Sequence, residues 1–292
     1  MRRSQYVAVE AGSNMEKGGI ALALGGGGAR GVAHVPVLEA LDELGVKPIA
    51  ISGSSIGSIM GAGYASGMSG AEIRDHVLTT FSRGAVVLAK LWQVRPNGIG
   101  EFLESTFRRF GHLDAEKVLR ALLPESLPET LEALNIPMTI MGADYYRQSQ
   151  VALRSGPLFE AMAASAAIPA LFKPVEISGR LLIDGGIANP VPFDVLPKTA
   201  DMVLAIDVVG GPDGIPPTPP GRIDALIGAS QLMMQTITKL KLEQDPSVCL
   251  LRPNVNAYRV MDFLKSPEIL EASSGIKEEV KRALDRCLDQ VA

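Results

Sequence analysis

Three short stretches hold residue types that chemistry can use. Gly53-Ser54-Ser55-Ile56-Gly57 sets a serine midway between two glycines. That pattern suits a sharp strand-to-helix turn, where small flanking residues avoid collision and the turn lifts the hydroxyl clear of the backbone. A helix beginning at Ser55 also brings its positive dipole end near any negative charge that develops there. Gly25-Gly26-Gly27-Gly28-Ala29-Arg30-Gly31 leaves backbone N–H groups unshielded, able to approach an anion closely. The anion is either the tetrahedral oxyanion of acyl transfer or a nucleotide phosphate; a tight turn with no ligand has the same composition. Asp184-Gly185-Gly186 follows an apolar run, which puts the carboxylate at an exposed sheet edge, free to take a proton from a serine hydroxyl. Taken in isolation, Asp-Gly-Gly is a turn and the serine pentapeptide is common in loops.

The rivals differ in what else they need. Gly26, Gly28 and Gly31 match G-x-G-x-x-G, a dinucleotide pattern that requires an acidic residue at the end of the next strand. Here that strand ends at Ile51-Ser52-Gly53, without a carboxylate, and no G-x-x-x-x-G-K-[S/T] pattern exists. A triad in the order serine, acid, histidine is impossible, because no histidine follows His112 and Asp184 comes later. His34 falls early in a helix and reads as a packed or capping residue. A Ser55–Asp184 dyad is the economical reading, and burial should raise the pKa of its carboxylate.

The elements that must position these groups follow from apolar patterning. Ile20 to Leu24 and Pro48 to Ser52 read as short buried strands, each followed by a helix, the second from Ser55 to about Ala65. Val35, Leu38, Leu41 and Leu44 recur at helical spacing, and Gly45 ends the run. This alternation predicts a parallel sheet covered by helices. Further strands are expected at 137–141, 180–183 and 202–209, and a buried helix at 158–167. Gly210 to Gly221 holds five prolines and four glycines, which makes a loop. Two helices, near 222–243 and 267–290, complete the chain and should pack on the core. Residues 1–17 read as a tail and 18–209 as the core. Within it, 68–135 lies between nucleophile and base as a cap-like insertion. Its run Ala85 to Trp92, with Lys90 and Arg95, is either an ordinary core helix or a face for acyl chains or a bilayer.

Composition removes other classes. A net charge of −4 and 5% aromatic residues argue against nucleic acid as a partner. Cys249, Cys287, His34, His76 and His112 are too scattered for a metal site, and no cofactor is needed. No secretory leader or membrane-spanning stretch is visible. A cytoplasmic protein is expected, with peripheral membrane contact left open. Nothing sets the oligomeric state.

Together the three motifs resemble the patatin-like phospholipase family, whose blocks occur here in the same order: Gly26 to Gly31, Gly53 to Gly57, and Asp184 to Pro192. Ala164 to Val175 resembles a further block of that family, and the likeness spans roughly 19–210. The resemblance implies a three-layer α/β/α sandwich with a mostly parallel central sheet. It implies Ser55 as nucleophile and Asp184 as general base, acting on a lipid or other acyl ester through an acyl-serine intermediate. It implies an oxyanion hole from Gly26, Gly27 and Gly28, with Arg30 and Gly31 supporting the loop. Gly53 and Gly57 form the elbow, and Gly185 and Gly186 the turn. No obligatory metal is implied. An acyltransferase or thioesterase would use the same dyad.

Overall fold

The computed structural model describes residues 19–81, 113–211 and 221–291. The run Ala85 to Trp92, with Arg95 and His112, lies outside them. Among the described residues eight strands make one sheet: β1 Ile20–Leu24, β2 Ala50–Ser54, β3 Met138–Asp144, β4 Ser149–Leu153, β5 Val175–Ile177, β6 Arg180–Asp184, β7 Met202–Ile206 and β8 Cys249–Leu251. Their order is β5-β6-β3-β2-β1-β7-β8, with β4 pairing with β3. The β3-β2-β1-β7-β8 stretch is parallel, and β4, β5 and β6 pair antiparallel. The helices are α1 His34–Glu43, α2 Ile56–Ala65, α3 Gly70–Phe81, α4 Ala115–Leu122, α5 Leu158–Ser165, α6 Arg222–Gln244, α7 Ser266–Ala272 and α8 Ile276–Val291.

The Leu/Ala alternation of β1 gives the sheet two unequal faces. Leu22 and Leu24 point into the main core, among side chains from α1, α2, α5 and α8. Ala21 and Ala23 point the other way, into a smaller cluster with Ala50, Val191, Phe193 and Leu242. Small side chains let a layer lie close: Ser52 Oγ donates to the Pro192 carbonyl at 2.7 Å and Ser54 Oγ to that of Asn189 at 2.5 Å. The crossover helix α6 reaches this face through Leu242. The result is a three-layer α/β/α fold with one deep and one thin side.

Several boundaries differ from those expected. β2 starts at Ala50 and runs on to Ser54, because Gly53 and Ser54 pair with Ile140 and Met141 of β3. β7 ends at Ile206 and α5 at Ser165. The helix expected at 267–290 is two, α7 and α8, broken before Ile276 next to Gly275. The short strands β4, β5 and β8 had no clear apolar signature. Among the described residues, no helix is long and apolar enough to cross a membrane.

β3 positions the site. Along one flank it pairs first with β2, up to Met141 opposite Ser54, and then with β6, from Gly142 opposite Asp184. β2 and β6 therefore meet end to end, and their last residues are neighbours.

Glu39 on α1 ties the helical layer together, accepting from Arg74 of α3 and Lys277 of α8, both at 2.7 Å. Both cations reach solvent, so Glu39→Ala should lower unfolding free energy by about 2 kcal/mol, under the cost of breaking a fully buried pair. Urea denaturation measures this, and an unchanged midpoint would remove the tether from the account.

Candidate active site

Ser55 joins β2 to α2 with φ 51° and ψ −124°, a left-handed conformation that non-glycine residues rarely adopt. Strain of this kind costs about 1–3 kcal/mol and persists only where surroundings enforce it. Here they do. The Ser55 N–H donates to Ser165 Oγ at 2.9 Å, and Ser58 Oγ donates back to the Ser55 carbonyl at 2.6 Å. Gly57, in the first turn of α2, crosses so close to Leu24 that any Cβ would overlap the Leu24 carbonyl. Gly53 lies in β2, where a Cβ would press on the Gly57 carbonyl and Ser58 amide of α2.

Ser55 Oγ donates to Asp184 Oδ2 at 2.7 Å. The other carboxylate oxygen, Oδ1, accepts from the Gly186 N–H at 2.8 Å, in the turn formed by Gly185, Gly186 and Ile187. The carboxylate is not exposed at a sheet edge, as the sequence suggested. It is buried, because β6 ends inside the sheet, against β3 and next to β2. Burial raises its pKa to about 6, against the lowering effect of the hydrogen bonds from Ser55 and Gly186.

The glycine loop leaves β1 beside Ser55 and turns into a 3-10 helix at Gly28–Ala33. Its amides are unevenly engaged. Gly25 donates to Ile206, Gly26 to Pro190 and Ala29 to Val260, at 2.9, 2.9 and 2.8 Å. The Gly26 N–H, expected as an oxyanion donor, is bonded to the Pro190 carbonyl in this structure. Among the described residues the amides of Gly27 and Gly28 have no acceptor. The same count weakens the phosphate reading, which needs a run of free amides. Gly28 has φ +60° and lies where a Cβ would overlap the Val260 carbonyl. Gly31 packs against Ile56.

Arg30 is buried, and its Nε donates to the Gly27 carbonyl at 3.4 Å. Its guanidinium lies against the side-chain oxygen of Gln231 in the favoured amide orientation. Burial lowers its pKa to about 10 and Asp207 opposes that, so it stays charged. His34 is fully buried, with a pKa lowered by burial to about 4. It is neutral, and since a carbonyl only accepts, its Nε2 carries the proton given to Gly25 O at 2.8 Å. It braces the loop.

An apolar cavity of about 420 Å³ has Ser55 and Gly28 in its lining. Its walls include Ile59, Val77, Phe81, Leu119, Phe172 and Phe263. Among the described residues no cluster of His, Cys, Asp and Glu is built to hold a metal ion. Sequence reasoning gave no role to Ser165, Gln231 or Val260. Ser165 was visible as the one hydroxyl closing an alanine-rich helix; Val260 and Gln231 act over long sequence distances and carry no local signal.

The patatin-like phospholipase family model matches residues 22–197. An uncharacterized NTE family protein of Mycobacterium bovis is 37% identical over 196 residues, 67% of this chain and 50% of that protein. Patatin-like phospholipase domain-containing protein 6 of Homo sapiens is 29% identical over 280 residues, 86% of this chain and 19% of that protein. The crystal structure of VipD from Legionella pneumophila superposes with a TM-score of 0.48 at 15% identity, covering 94% of this chain and 67% of that one. The chain thus spans about half the length of the mycobacterial relative.

The raised Asp184 pKa has a cost that depends on pH. The folded state holds this proton up to about pH 6, whereas the unfolded chain releases it near 3.8, so folding stability falls as pH rises between those values. Asp184→Asn removes the charge. The variant should be more stable than the parent at pH 7.5, and the gap should close toward pH 4. Urea denaturation at both pH values tests this; a gap that is the same at both, or reversed, would contradict the buried-carboxylate account.

Proposed function

The chain belongs to the patatin-like phospholipase family, and from that membership and the geometry around Ser55 we propose that it is a serine hydrolase cleaving carboxylic ester bonds of lipids. The observation that carries the proposal is the 2.7 Å hydrogen bond to the buried Asp184 carboxylate from Ser55 Oγ, a serine that lines an apolar cavity. A hydroxyl held against a base whose pKa is lifted to about 6 has an acceptor for its proton at neutral pH.

In the proposed reaction the acyl chain lies in the apolar cavity and the ester carbonyl oxygen faces the Gly27 and Gly28 amides. Ser55 Oγ forms a bond to the carbonyl carbon while its proton passes to Asp184. The resulting oxyanion accepts from the two amides, each contributing about 2.7–4 kcal/mol if it behaves like measured oxyanion donors. Collapse breaks the bond to the alcohol or lysolipid, which leaves with the proton from Asp184. Water then gives a proton to Asp184 and adds to the acyl-serine. The second collapse releases the fatty acid and returns the proton to Ser55. Arg30 and His34 act on the loop: Arg30 holds the Gly27 carbonyl, whose peptide plane carries the free Gly28 amide, and His34 holds the Gly25 carbonyl, whose peptide carries the bonded Gly26 amide.

The cavity favours lipid acyl groups over small polar esters, since apolar burial contributes about 0.8 kcal/mol per methylene. On p-nitrophenyl esters, kcat/KM should rise with chain length from acetate to octanoate. Ser55→Ala and Asp184→Asn should each lower it by about 10⁴-fold or more, with circular dichroism unchanged. Retention of most activity in Ser55→Ala would sink the mechanism; a rate that falls with chain length would sink the assignment of the cavity.

A further inference from the structure

Single exposed leucines are ordinary on a protein surface; a set of them around one opening is a sign of contact with something else. Among the described residues, several large exposed apolar side chains lie toward the carboxyl edge of the sheet, where Ser55 stands. Met261 and Leu264 line the cavity and also reach solvent. Tyr145 and Tyr146 follow the end of β3, whose pairing with β2 stops at Met141 opposite Ser54. The tyrosine tip therefore lies about four residues, or roughly 13 Å, past the level of the nucleophile. Tyr146 is 76% exposed, and its ring meets that of Tyr145 edge to face at 5.2 Å.

Helix α6 supplies the third group. Its packed face carries Met234 against Gly186, Gln235 donating to the Gly210 carbonyl, and Lys241 bonded to Asp194 and Gln150. Leu242 then reaches the Ala21–Ala50 cluster, so the helix runs down the thin face, away from the catalytic edge. Residues before Gln231 consequently continue outward past that edge, by about 13 Å at 1.5 Å per residue. Residues 225–230 are exposed on nearly every side. Opposite the packed face, Leu226, Met233 and Leu240 recur every seven residues, the first two 71% and 60% exposed. A surface helix normally turns polar residues to that side.

We propose that this edge docks on a phospholipid surface with anionic headgroups. The outer half of α6 and the Tyr145–Tyr146 tip enter the headgroup region and seat the cavity mouth against the lipid. The inference rests on the lipid-ester reading above and adds where the substrate surface sits. Tyrosine suits that depth, with an apolar body and a polar end. Charge agrees: Arg147 and Arg180 stand beside the tyrosine tip with exposed guanidinium groups, and the carboxylate near both, Asp144, is buried. Two separate projections beyond one edge of the sheet suit a deformable lipid surface better than the matching face of a second copy.

The test uses the full chain with vesicles of phosphatidylcholine alone or mixed with phosphatidylglycerol, read by flotation. The Ser55→Ala chain is used so that turnover does not alter the lipid. It should float with the mixed vesicles and less with phosphatidylcholine alone. Adding Leu226→Ser, Met233→Ser and Tyr146→Ser should cut partitioning by about tenfold or more. The same three changes on the active chain should leave hydrolysis of soluble p-nitrophenyl butyrate unchanged. Absence of flotation, or equal flotation of the triple variant, overturns the proposal, and equal binding to both vesicle types overturns its anionic part. Sedimentation showing a dimer that the triple variant splits assigns the face to a second copy instead. A chain that hydrolyses the soluble ester without floating loses the docking surface and keeps the hydrolase reading. One that floats but hydrolyses nothing does the reverse.

Discussion

The hydrogen bond between Ser55 Oγ and Asp184 Oδ2 joins two strands that reach the same point from opposite directions. β2 climbs the flank of β3 as a parallel strand and β6 descends it as an antiparallel one, and they stop one residue apart, at Met141 and Gly142. Neither strand alone could bring a hydroxyl and a carboxylate together inside a sheet. The antiparallel return through β5 and β6 is what distinguishes this arrangement from a fully parallel sheet, where all strands present their carboxyl ends and none turns back to deliver a base.

Two unfavourable local states are held by this meeting. Ser55 has a strained backbone, and Asp184 carries its charge out of contact with water. Each is tolerated because dense structure surrounds it. The Ser165 hydroxyl fixes the Ser55 amide, Gly186 fixes one carboxylate oxygen, and the alanine side of β1 lets the 189–192 segment grip β2 through Ser52 and Ser54. The glycine loop is held in the same way from outside the catalytic strands. His34 braces Gly25, Arg30 braces Gly27, and Val260, far along the chain, accepts from Ala29. The segment that carries Val260 also walls the cavity through Met261, Phe263 and Leu264, so loop geometry and cavity shape are linked.

Much of this was legible in the sequence where local pattern and tertiary role agree. Ile20 to Leu24 is a buried strand in both, and the glycines around Ser55 have the spacing that a crowded turn needs. The absence of any histidine after Asp184 pointed to a two-residue pairing, and those two residues do lie in contact. What the sequence hid depends on register. That Asp184 is buried follows from where β6 stops along β3, which no run of residues encodes locally. The bonded state of the Gly26 amide depends on Pro190, 164 positions away by the numbering. The sequence marked 222–243 as a helix packing on the core, and that Leu226, Met233 and Leu240 of α6 face outward depends on how the helix lies against the sheet.

The account depends on Asp184 acting as the acceptor of the Ser55 proton. The rate at which a fluorophosphonate probe labels Ser55, followed against pH by mass spectrometry, tests this without reference to any natural substrate. The account predicts a rate that climbs as Asp184 ionises through about pH 6 and levels above it, and a slow, pH-independent rate in Asp184→Asn. The same pH profile in both chains, or labelling at a residue other than Ser55, would contradict it.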